Sequence, residues 1–193
     1  MRETLLKKIL VTGAGGLSSK LIHVLSKGYE VTRTHNTKPY DPDSLRMDIT
    51  DITSVMKVFN MANPDVTVHA AAMTDVDKCE TNRELAWSIN VLGTKNIAER
   101  CKENGTKLIY ISTDYVFDGA KGLYKEDDET NPINYYGFTK LKCEEFVRDL
   151  CKDFIIARTS GTNTSPQWLY GDTERLECGI ESGQIVVDTI GCR

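Results

Sequence analysis

Thr113, Tyr136 and Lys140 have the functional groups needed to deliver a proton to a reacting carbonyl. Tyr136 and Lys140 are four positions apart, and this spacing along a helix places two side chains on one face. We therefore expect the Lys140 ammonium to lie beside the Tyr136 ring and to lower the pKa of the phenol. Moving that pKa from about 10 to about 7 needs roughly 4 kcal/mol of differential stabilisation.

A glycine-rich turn, Thr12-Gly13-Ala14-Gly15-Gly16, follows a short apolar run and precedes a helical pattern. This context is typical of a dinucleotide fingerprint, in which glycines let the backbone approach a pyrophosphate at a helix N-terminus. Counting from Gly13 and Gly16, the third position of the fingerprint is Ser19 instead of glycine. Because serine is small, we expect a slight shift of the helix and no loss of binding.

The second strand of the pattern ends in Val31-Thr32-Arg33-Thr34-His35, without an acidic residue. Proteins that bind NAD usually have an acid there for the ribose hydroxyls, whereas an arginine can pair with a 2′-phosphate. Arg33 therefore predicts a preference for NADPH, with NADH as the alternative cofactor.

Short apolar runs alternate with amphipathic stretches of helix length, which indicates a parallel sheet covered on both faces. The pattern predicts strands at 8–11, 29–34, 45–47, 66–70, 107–111 and 154–157. Helices are predicted from the glycine turn to about Lys27, from a cap at Thr50 to Met61, over 80–103, and from Asn134 onward. The fold class is α/β, a doubly wound Rossmann-like sheet. We assign 1–160 to the dinucleotide-binding domain and 161–193 to the start of a truncated substrate-binding subdomain.

Charge and cysteine usage exclude several classes of protein. A net charge of −4 and a pI near 5.5 argue against a nucleic-acid binder. No apolar run approaches the roughly 18 residues of a membrane span, and no signal peptide is apparent, so a cytoplasmic location is expected. The six cysteines form no Cys-x-x-Cys pair and the three histidines do not cluster with them, so we expect reduced thiols and no metal site. His69 is interpreted as a core histidine.

Five segments together carry a resemblance to a known family. They are Ile9-Leu-Val-Thr-Gly-Ala-Gly-Gly16, Ala70-Ala-Ala-Met-Thr-Asp-Val-Asp-Lys-Cys-Glu80, Ile89-Asn-Val-Leu-Gly-Thr-Lys-Asn96, Ser112-Thr-Asp-Tyr-Val-Phe-Asp-Gly119 and Asn131-Pro-Ile-Asn-Tyr-Tyr-Gly-Phe-Thr-Lys140. From about residue 8 to residue 160 the chain resembles the extended short-chain dehydrogenases/reductases, most closely the dTDP-4-dehydrorhamnose reductases.

The resemblance implies roles for individual residues. In the reaction, Thr113 would hydrogen-bond the substrate carbonyl, Tyr136 would donate the proton, and Lys140 would bind the nicotinamide ribose. The remaining implied contacts are Asn90 to the lysine through water, Gly13, Gly16 and Leu17 to the pyrophosphate, Asp48 and Ile49 to the adenine, Ala70, Ala71 and Ala72 to the dinucleotide ribose, and Asp114 and Tyr115 to the sugar.

The implied activity is the NADPH-dependent reduction of the C4 ketone of a dTDP-4-dehydro-6-deoxy sugar, a step of dTDP-rhamnose biosynthesis. A related dehydratase would have Asp-Glu after the threonine to eliminate water, whereas this chain has Asp114-Tyr115. A nucleotide-sugar epimerase stays open, as does a non-catalytic NADP-binding subunit resembling that of methionine adenosyltransferase. The expected partner is a nucleotide sugar, and a homodimer is left open. Because family members are longer, we expect this chain to bind NADPH but to lack part of the sugar-nucleotide pocket.

Overall fold

The computed structural model describes residues 6–13, 15–39, 41–159 and 183–187, in which strands and helices alternate. The strands in this part of the chain are β1 (Lys8–Thr12), β2 (Glu30–His35), β3 (Leu45–Arg46), β4 (Val66–His69), β5 (Lys107–Thr113), β6 (Phe154–Thr159) and β7 (Gly183–Val187). They form one sheet in the order β3-β2-β1-β4-β5-β6-β7, and every neighbouring pair is parallel. This order confirms the predicted doubly wound α/β fold.

The helices are α1 (Gly16–Leu25), α2 (Ile52–Ala62), α3 (Val76–Thr81), α4 (Arg83–Ala86), α5 (Gly93–Asn104) and α6 (Tyr135–Leu150). A π-helical turn (Trp87–Leu92) joins α4 to α5, and a 3-10 turn (Asp114–Val116) follows β5. The single long helix predicted over 80–103 is therefore wrong, because Asn82 leaves the helical conformation at φ −136° and the π-turn interrupts the ladder. The cap of α2 is Asp51, which accepts a hydrogen bond from the Thr53 N–H, instead of the predicted Thr50.

Hydrophobic side chains bury both faces of the sheet, as a parallel sheet requires. Along β1, Ile9 and Val11 pack with Leu21 and Ile22 of α1. The intervening Leu10 packs into the larger cluster on the opposite face, which is built mainly by α2, α5 and α6. The alternation along a single strand therefore determines which helix covers each face.

The winding of the chain reverses between β1 and β4, and in such sheets ligands bind outside the carboxyl ends of the strands at this point. At the far edge, β7 pairs with β6 over the whole of its length. Residues 183–187 therefore extend the dinucleotide-binding sheet, although we assigned them to the substrate subdomain. The rest of 161–193, apart from those five residues, lies outside the described residues. None of the helices within the described ranges is long and apolar enough to cross a membrane.

Candidate active site

A cleft of about 960 Å³ opens at the carboxyl ends of the central strands. This volume lies at the upper end of the range for small-molecule and cofactor sites. The predicted site residues that line the cleft are Gly13, Gly16, Leu17, Ile49, Ala70, Ala71, Ala72, Thr113, Asp114, Tyr115, Tyr136 and Lys140. The fold thus brings most of the predicted residues to one place, while Arg33, Asp48 and Asn90 are not part of the lining.

The turn after β1 leaves space for a phosphate. Gly13 has φ +88°, and a Cβ at that position would lie 3.0 Å from the Ala71 Cα, so glycine is required for this approach. At Gly15 and Gly16 an added Cβ would meet open space within the cleft. Gly15 is the N-cap of α1 and has no side chain to occupy the first N–H groups. Free N–H groups at a helix N-terminus fit a pyrophosphate.

Arg33 of β2 is not among the residues that line the cleft. Its neighbour Thr34 is buried and accepts a hydrogen bond from the Gly13 N–H at 3.3 Å. Successive side chains of a strand point to opposite faces, so Arg33 points away from Gly13 and forms an ion pair with Asp41. The cleft is lined at this end by residues 34–38, which include His35 and Lys38. The predicted contact of Arg33 with a 2′-phosphate therefore has no support from its position.

The region predicted to bind adenine is organised around Ile49. Its backbone carbonyl accepts a hydrogen bond from Asn96 Nδ2 at 2.9 Å, and a Cβ on Gly93 would lie 2.7 Å from its side chain. The Asp48 carboxylate is turned to Thr50, whose N–H and hydroxyl donate to Oδ1 at 2.9 and 2.7 Å. Ile49 therefore forms the wall, and the Asp48 side chain stabilises the turn behind it.

The start of α6 places Tyr136 at the end of β5. Asn134 caps the helix, because its Oδ1 accepts a hydrogen bond from the Gly137 N–H at 2.7 Å. A Cβ on Gly137 would overlap the carbonyl oxygen of Tyr115, so only glycine allows α6 to come this close to the 3-10 turn. The Tyr115 ring then meets the Tyr136 ring edge-on, with centroids 6.0 Å apart. Tyr136 is 8% exposed and opens on the cleft.

The hydroxyl of Thr113 connects the residues at this end of the cleft. It donates to Asp114 Oδ1 at 3.1 Å and accepts from the Tyr115 N–H at 3.3 Å. Burial raises the pKa of Tyr136 to about 12, although a hydrogen bond with the Thr113 side chain acts in the opposite direction. Lys140 is not among the groups that shift this pKa, so the expected lowering is not seen from Lys140 alone.

The orientation of Lys140 explains the difference. Its Nζ donates to the Ile111 carbonyl at 2.7 Å and lies 4.2 Å from the centroid of the Tyr110 ring. The residue is 3% exposed, and burial lowers the pKa of the ammonium to about 8. The helical spacing does bring Lys140 to the face of Tyr136, but the ammonium stabilises the end of β5 instead of the phenolate.

Asn90, in the π-turn, is buried and joins two parts of the site. Its Oδ1 accepts from the Met73 N–H at 2.8 Å, and its Nδ2 donates to the Met73 carbonyl at 3.1 Å. The same Nδ2 donates to Thr139 Oγ1 at 3.0 Å. Asn90 thus holds the loop after β4 against the residue next to Lys140 by direct contacts.

His69 links the glycine turn to the helices behind the cleft. Thr12 Oγ1 accepts hydrogen bonds from the N–H groups of Ala70 and Ala71, both at 3.2 Å. Because both lone pairs of this oxygen are then used, the hydroxyl donates its own proton to His69 Nδ1 at 2.7 Å. His69 Nε2 must then carry the ring proton, which it donates to Thr94 Oγ1 at 3.0 Å. Burial, with a smaller contribution from the Lys140 charge, lowers the pKa of His69 to about 3. The core histidine is therefore neutral.

A buried ionic group behind the site was not anticipated from the sequence. Glu144 is fully buried on α6, one turn after Lys140, and pairs with Arg158 of β6. Ser112 donates its hydroxyl to the same carboxylate at 2.6 Å. The four-residue spacing from Lys140 would have placed Glu144 on the inner face of the helix. Its partners are distant in sequence and could be found only from the fold.

Metal ligands are absent from the described ranges: no group of three or more histidine, cysteine or carboxylate side chains there could hold an ion. The cysteines within those ranges, Cys79, Cys101, Cys143 and Cys151, are buried free thiols. Cys178 and Cys192 lie outside the described residues.

The fold and the cleft define an α/β protein of the Rossmann type. A profile of the RmlD substrate binding domain matches residues 7–176, and the chain belongs to this family. It is 34% identical to a dTDP-4-dehydrorhamnose reductase of Mycolicibacterium smegmatis, with 98% of this chain and 57% of the relative covered. It is 33% identical to methionine adenosyltransferase 2 subunit beta of Xenopus tropicalis, with 88% and 49% covered.

Solved structures agree with this assignment. A dTDP-4-dehydrorhamnose reductase of Bacillus anthracis, solved in complex with NADP, superposes with a TM-score of 0.71 at 33% identity. The superposition covers 88% of this chain and 61% of that structure. The chain spans about half the length of the curated relatives it matches.

Proposed function

We propose that this chain is the cofactor-binding part of a cytoplasmic, NADPH-dependent reductase that acts on the C4 ketone of a dTDP-4-dehydro-6-deoxy sugar. The observation that carries the proposal is the meeting of Thr113 and Tyr136 in the same cleft as the glycine turn. Support comes from relatives that are named dTDP-4-dehydrorhamnose reductase, and from the relative solved with NADP.

The cleft offers separate places for the parts of the dinucleotide. The backbone of the glycine turn and Leu17 would hold the pyrophosphate, Ile49 with the backbone of Asp48 the adenine, and Ala70, Ala71 and Ala72 the ribose. Lys140, which reaches the cleft beside Ile111, would bind the nicotinamide ribose. When bound, the reduced nicotinamide supplies the hydride.

Tyr136 would donate the proton in the reductive direction. A phenol whose pKa is about 12 is protonated at neutral pH, but burial makes it a weaker acid than a catalytic group whose pKa lies near the operating pH. The Thr113 hydroxyl would exchange its bond to Asp114 for one to the substrate oxygen, which holds the carbonyl next to the phenol. The Lys140 charge stays near the end of β5 and favours negative charge that develops there.

Tyr136→Phe tests the assignment of the proton donor. NADPH consumption would be followed with a panel of nucleotide sugars, using the complete gene product. We expect at least a ten-fold loss of turnover, because general acid catalysis contributes about 10²–10⁴-fold, with NADPH affinity within a few-fold of wild type. Tyr135→Phe is the matched control: it removes a hydroxyl one position away, from a ring that contacts Phe138 and Arg83. More than a tenth of wild-type activity in Tyr136→Phe would refute the assignment.

The 193-residue chain by itself is expected to bind NADPH, measurably by calorimetry, without reducing a dTDP-sugar at a useful rate. The residues proposed for the cofactor all precede residue 160, whereas the sugar nucleotide would need walls from later in the chain. Binding energy from the remote nucleotide helps to position the reacting carbon, so losing that contact would reduce turnover as well as affinity. Robust reduction by the purified chain would show that the pocket is complete or is supplied by a second subunit.

A second candidate function is a non-catalytic NADP-binding subunit. The relative named methionine adenosyltransferase 2 subunit beta favours it, and the cofactor residues would serve either role. The two functions differ in one measurable respect. Tight NADPH binding without oxidation by any nucleotide sugar, in the complete gene product, would favour the subunit over the reductase.

A further inference from the structure

We propose that Glu144 and Arg158 are positioning residues that hold the substrate wall, defined as residues 114–131, against the end of β5. The inference rests on the proposed function, because the substrate wall starts with Asp114 and Tyr115, the residues expected to face the sugar. The buried pair itself is a feature of the described structure and can be tested without a substrate.

The carboxylate of Glu144 accepts four hydrogen bonds from three residues. Oε1 accepts from Ser112 Oγ at 2.6 Å and from Arg158 Nε at 2.9 Å. Oε2 accepts from Arg158 Nη2 and Arg148 Nη2, both at 2.8 Å. Burial pushes the pKa of Glu144 upward, but hydrogen bonds from Arg158 and Ser112 outweigh it and hold the pKa below its ordinary value. The two-point contact with Arg158 also fixes the orientation of the guanidinium plane.

From this fixed plane, Arg158 reaches the substrate wall at two points. Its Nη1 donates to the Glu126 carbonyl at 3.2 Å. The guanidinium carbon lies 5.0 Å from the centroid of the Phe117 ring, which stacks on Tyr124 with centroids 4.3 Å apart. A largely buried arginine therefore connects β6 to both the beginning and the middle of the wall.

The substrate wall is also connected within itself, so these contacts orient it as a unit. Asp118 accepts hydrogen bonds from the Tyr124 hydroxyl, from the Ala120 N–H at 2.9 Å and from Asn131 Nδ2 at 3.1 Å. The Asn131 N–H donates to the Val116 carbonyl at 2.9 Å, which closes the segment. A shift of the wall would move Tyr115 at one end and the start of α6 at the other.

Stability alone is a poor explanation for this pair. Removing one partner of a buried ion pair leaves an uncompensated charge and is strongly destabilising, whereas replacing both partners by neutral groups of similar size is often tolerated. A double replacement therefore separates folding from positioning. If the pair positions the wall, the double variant folds but loses the hold on residues 117–126.

The decisive variant is Glu144→Gln combined with Arg158→Met. The glutamine oxygen can still accept from Ser112, while the methionine cannot donate to the Glu126 carbonyl. We expect a thermal midpoint within about 5 °C of wild type, and NADPH affinity within about three-fold. Tryptic cleavage of the native protein after Lys121 or Lys125 should be at least about ten-fold faster, because both lysines are already exposed and local opening lets the wall extend into the protease.

Arg100→Met is the matched control, since it removes a largely buried arginine that contacts Asn60 and Glu103. It should leave cleavage of the substrate wall unchanged. If the double variant does not fold, Arg158→Lys keeps the charge pair without the guanidinium fork, and the same faster cleavage is expected. An unchanged cleavage rate in a folded variant would overturn the proposal. If the wild-type protein did not bind NADPH, the proposed function would be refuted. The cleavage rates would still test the role of Glu144 and Arg158, because they are measured without cofactor or substrate.

Discussion

The cofactor end of the cleft is lined mainly by backbone, whereas the reaction end is lined by buried side chains. At the cofactor end, the N-terminus of α1 presents Gly15 and Gly16, which are exposed and have no side chains. At the reaction end, Tyr136, Lys140 and Glu144 are buried and each is hydrogen-bonded. An anion can be bound by backbone N–H groups that every helix start provides, whereas proton transfer needs side chains held in place.

This difference predicts two kinds of mutational effect. A change at Gly15 or Gly16 should alter affinity and leave the folded state intact, because an added Cβ meets open space at both positions. A change at the reaction end should alter stability first, because the side chains fill the space between α6 and β5. Substitutions at each end, measured for unfolding free energy and for NADPH affinity, test this difference.

The largest effect is expected for Gly137→Ala at the reaction end. The added Cβ would overlap the Tyr115 carbonyl, and backbone cannot move as a flexible side chain does. We expect a loss of about 3 kcal/mol in the free energy of unfolding, the upper part of the range for overpacking. Chemical denaturation would measure it. A loss below about 1 kcal/mol would mean that α6 can withdraw from the 3-10 turn, and the reaction end would be less rigid than described.

A second experiment uses pH to examine the connection between the two ends through His69. The pKa of His69 is about 3 in the folded protein, against an ordinary value of 6.5 that we take for the unfolded chain. Well above pH 6.5 the residue is neutral in both states and contributes no pH dependence to stability. Below pH 6.5 the unfolded chain gains a proton that the folded chain excludes, and stability falls as the pH falls toward 3. Between pH 7 and pH 5 we expect a loss of about 2 kcal/mol from this residue.

The readout for His69 is the difference in unfolding free energy between pH 7 and pH 5. His69→Gln should reduce that difference, because glutamine does not titrate. His23→Gln, at an exposed position of α1, is the control and should leave the difference as in wild type. Equal pH dependence in wild type and His69→Gln would contradict the neutral, buried state of the ring.

Gly16→Ala examines the cofactor end with the same kind of change as Gly137→Ala. An added Cβ meets open space, so the unfolding free energy should stay within about 0.5 kcal/mol of wild type. The methyl group would stand where the pyrophosphate is proposed to bind, and NADPH affinity should fall about ten-fold, or 1.4 kcal/mol. Unchanged affinity in calorimetry would place the phosphates elsewhere in the cleft.

The smallest expected effect concerns the choice between NADPH and NADH. Lys38 lines the cleft on its exposed rim, while Arg33 is paired with Asp41 outside it. Lys38→Ala should therefore reduce the NADPH-to-NADH affinity ratio about five-fold, as for an exposed ion pair. Arg33→Ala, the matched control, should change the ratio less. A larger change from Arg33→Ala than from Lys38→Ala would support the assignment of Arg33 to the 2′-phosphate.

Features with a local physical cause could be predicted from the sequence. The apolar runs located six strands to within about two residues, and the αL turn at Gly105 ends α5 close to the predicted helix end at 103. The break at Asn82 and the π-turn could not be foreseen, because the apolar spacing on either side of them still fits a helix. The sequence of β7 contains only a short apolar run, which is too weak to predict a strand by itself. Its pairing with β6 identifies it as a strand of the sheet.

Side-chain orientation limited the prediction of the site. Four-residue spacing placed Lys140 on the face of Tyr136, but the choice between the phenol and the Ile111 carbonyl depends on β5. For Arg33, the ion pair with Asp41 depends on the chain after β2 and could not be predicted from the strand pattern. The contacts of Arg158 could not be predicted from local sequence, because they join a strand, a helix and a loop that meet only in the fold.

The π-turn at Trp87–Leu92 has a genetic consequence. A π-turn is an α-helix with one additional residue, so removing a single codon there could restore the ordinary helical ladder. Because the extra residue is accommodated within the turn, the later positions of α5 would keep their faces, and Ile97, Ala98 and Cys101 would stay in the core. A one-codon deletion inside α5 itself has no such turn to absorb it and would rotate every later position by about 100°. In-frame deletions should therefore be tolerated better at the π-turn than in the helix that follows it.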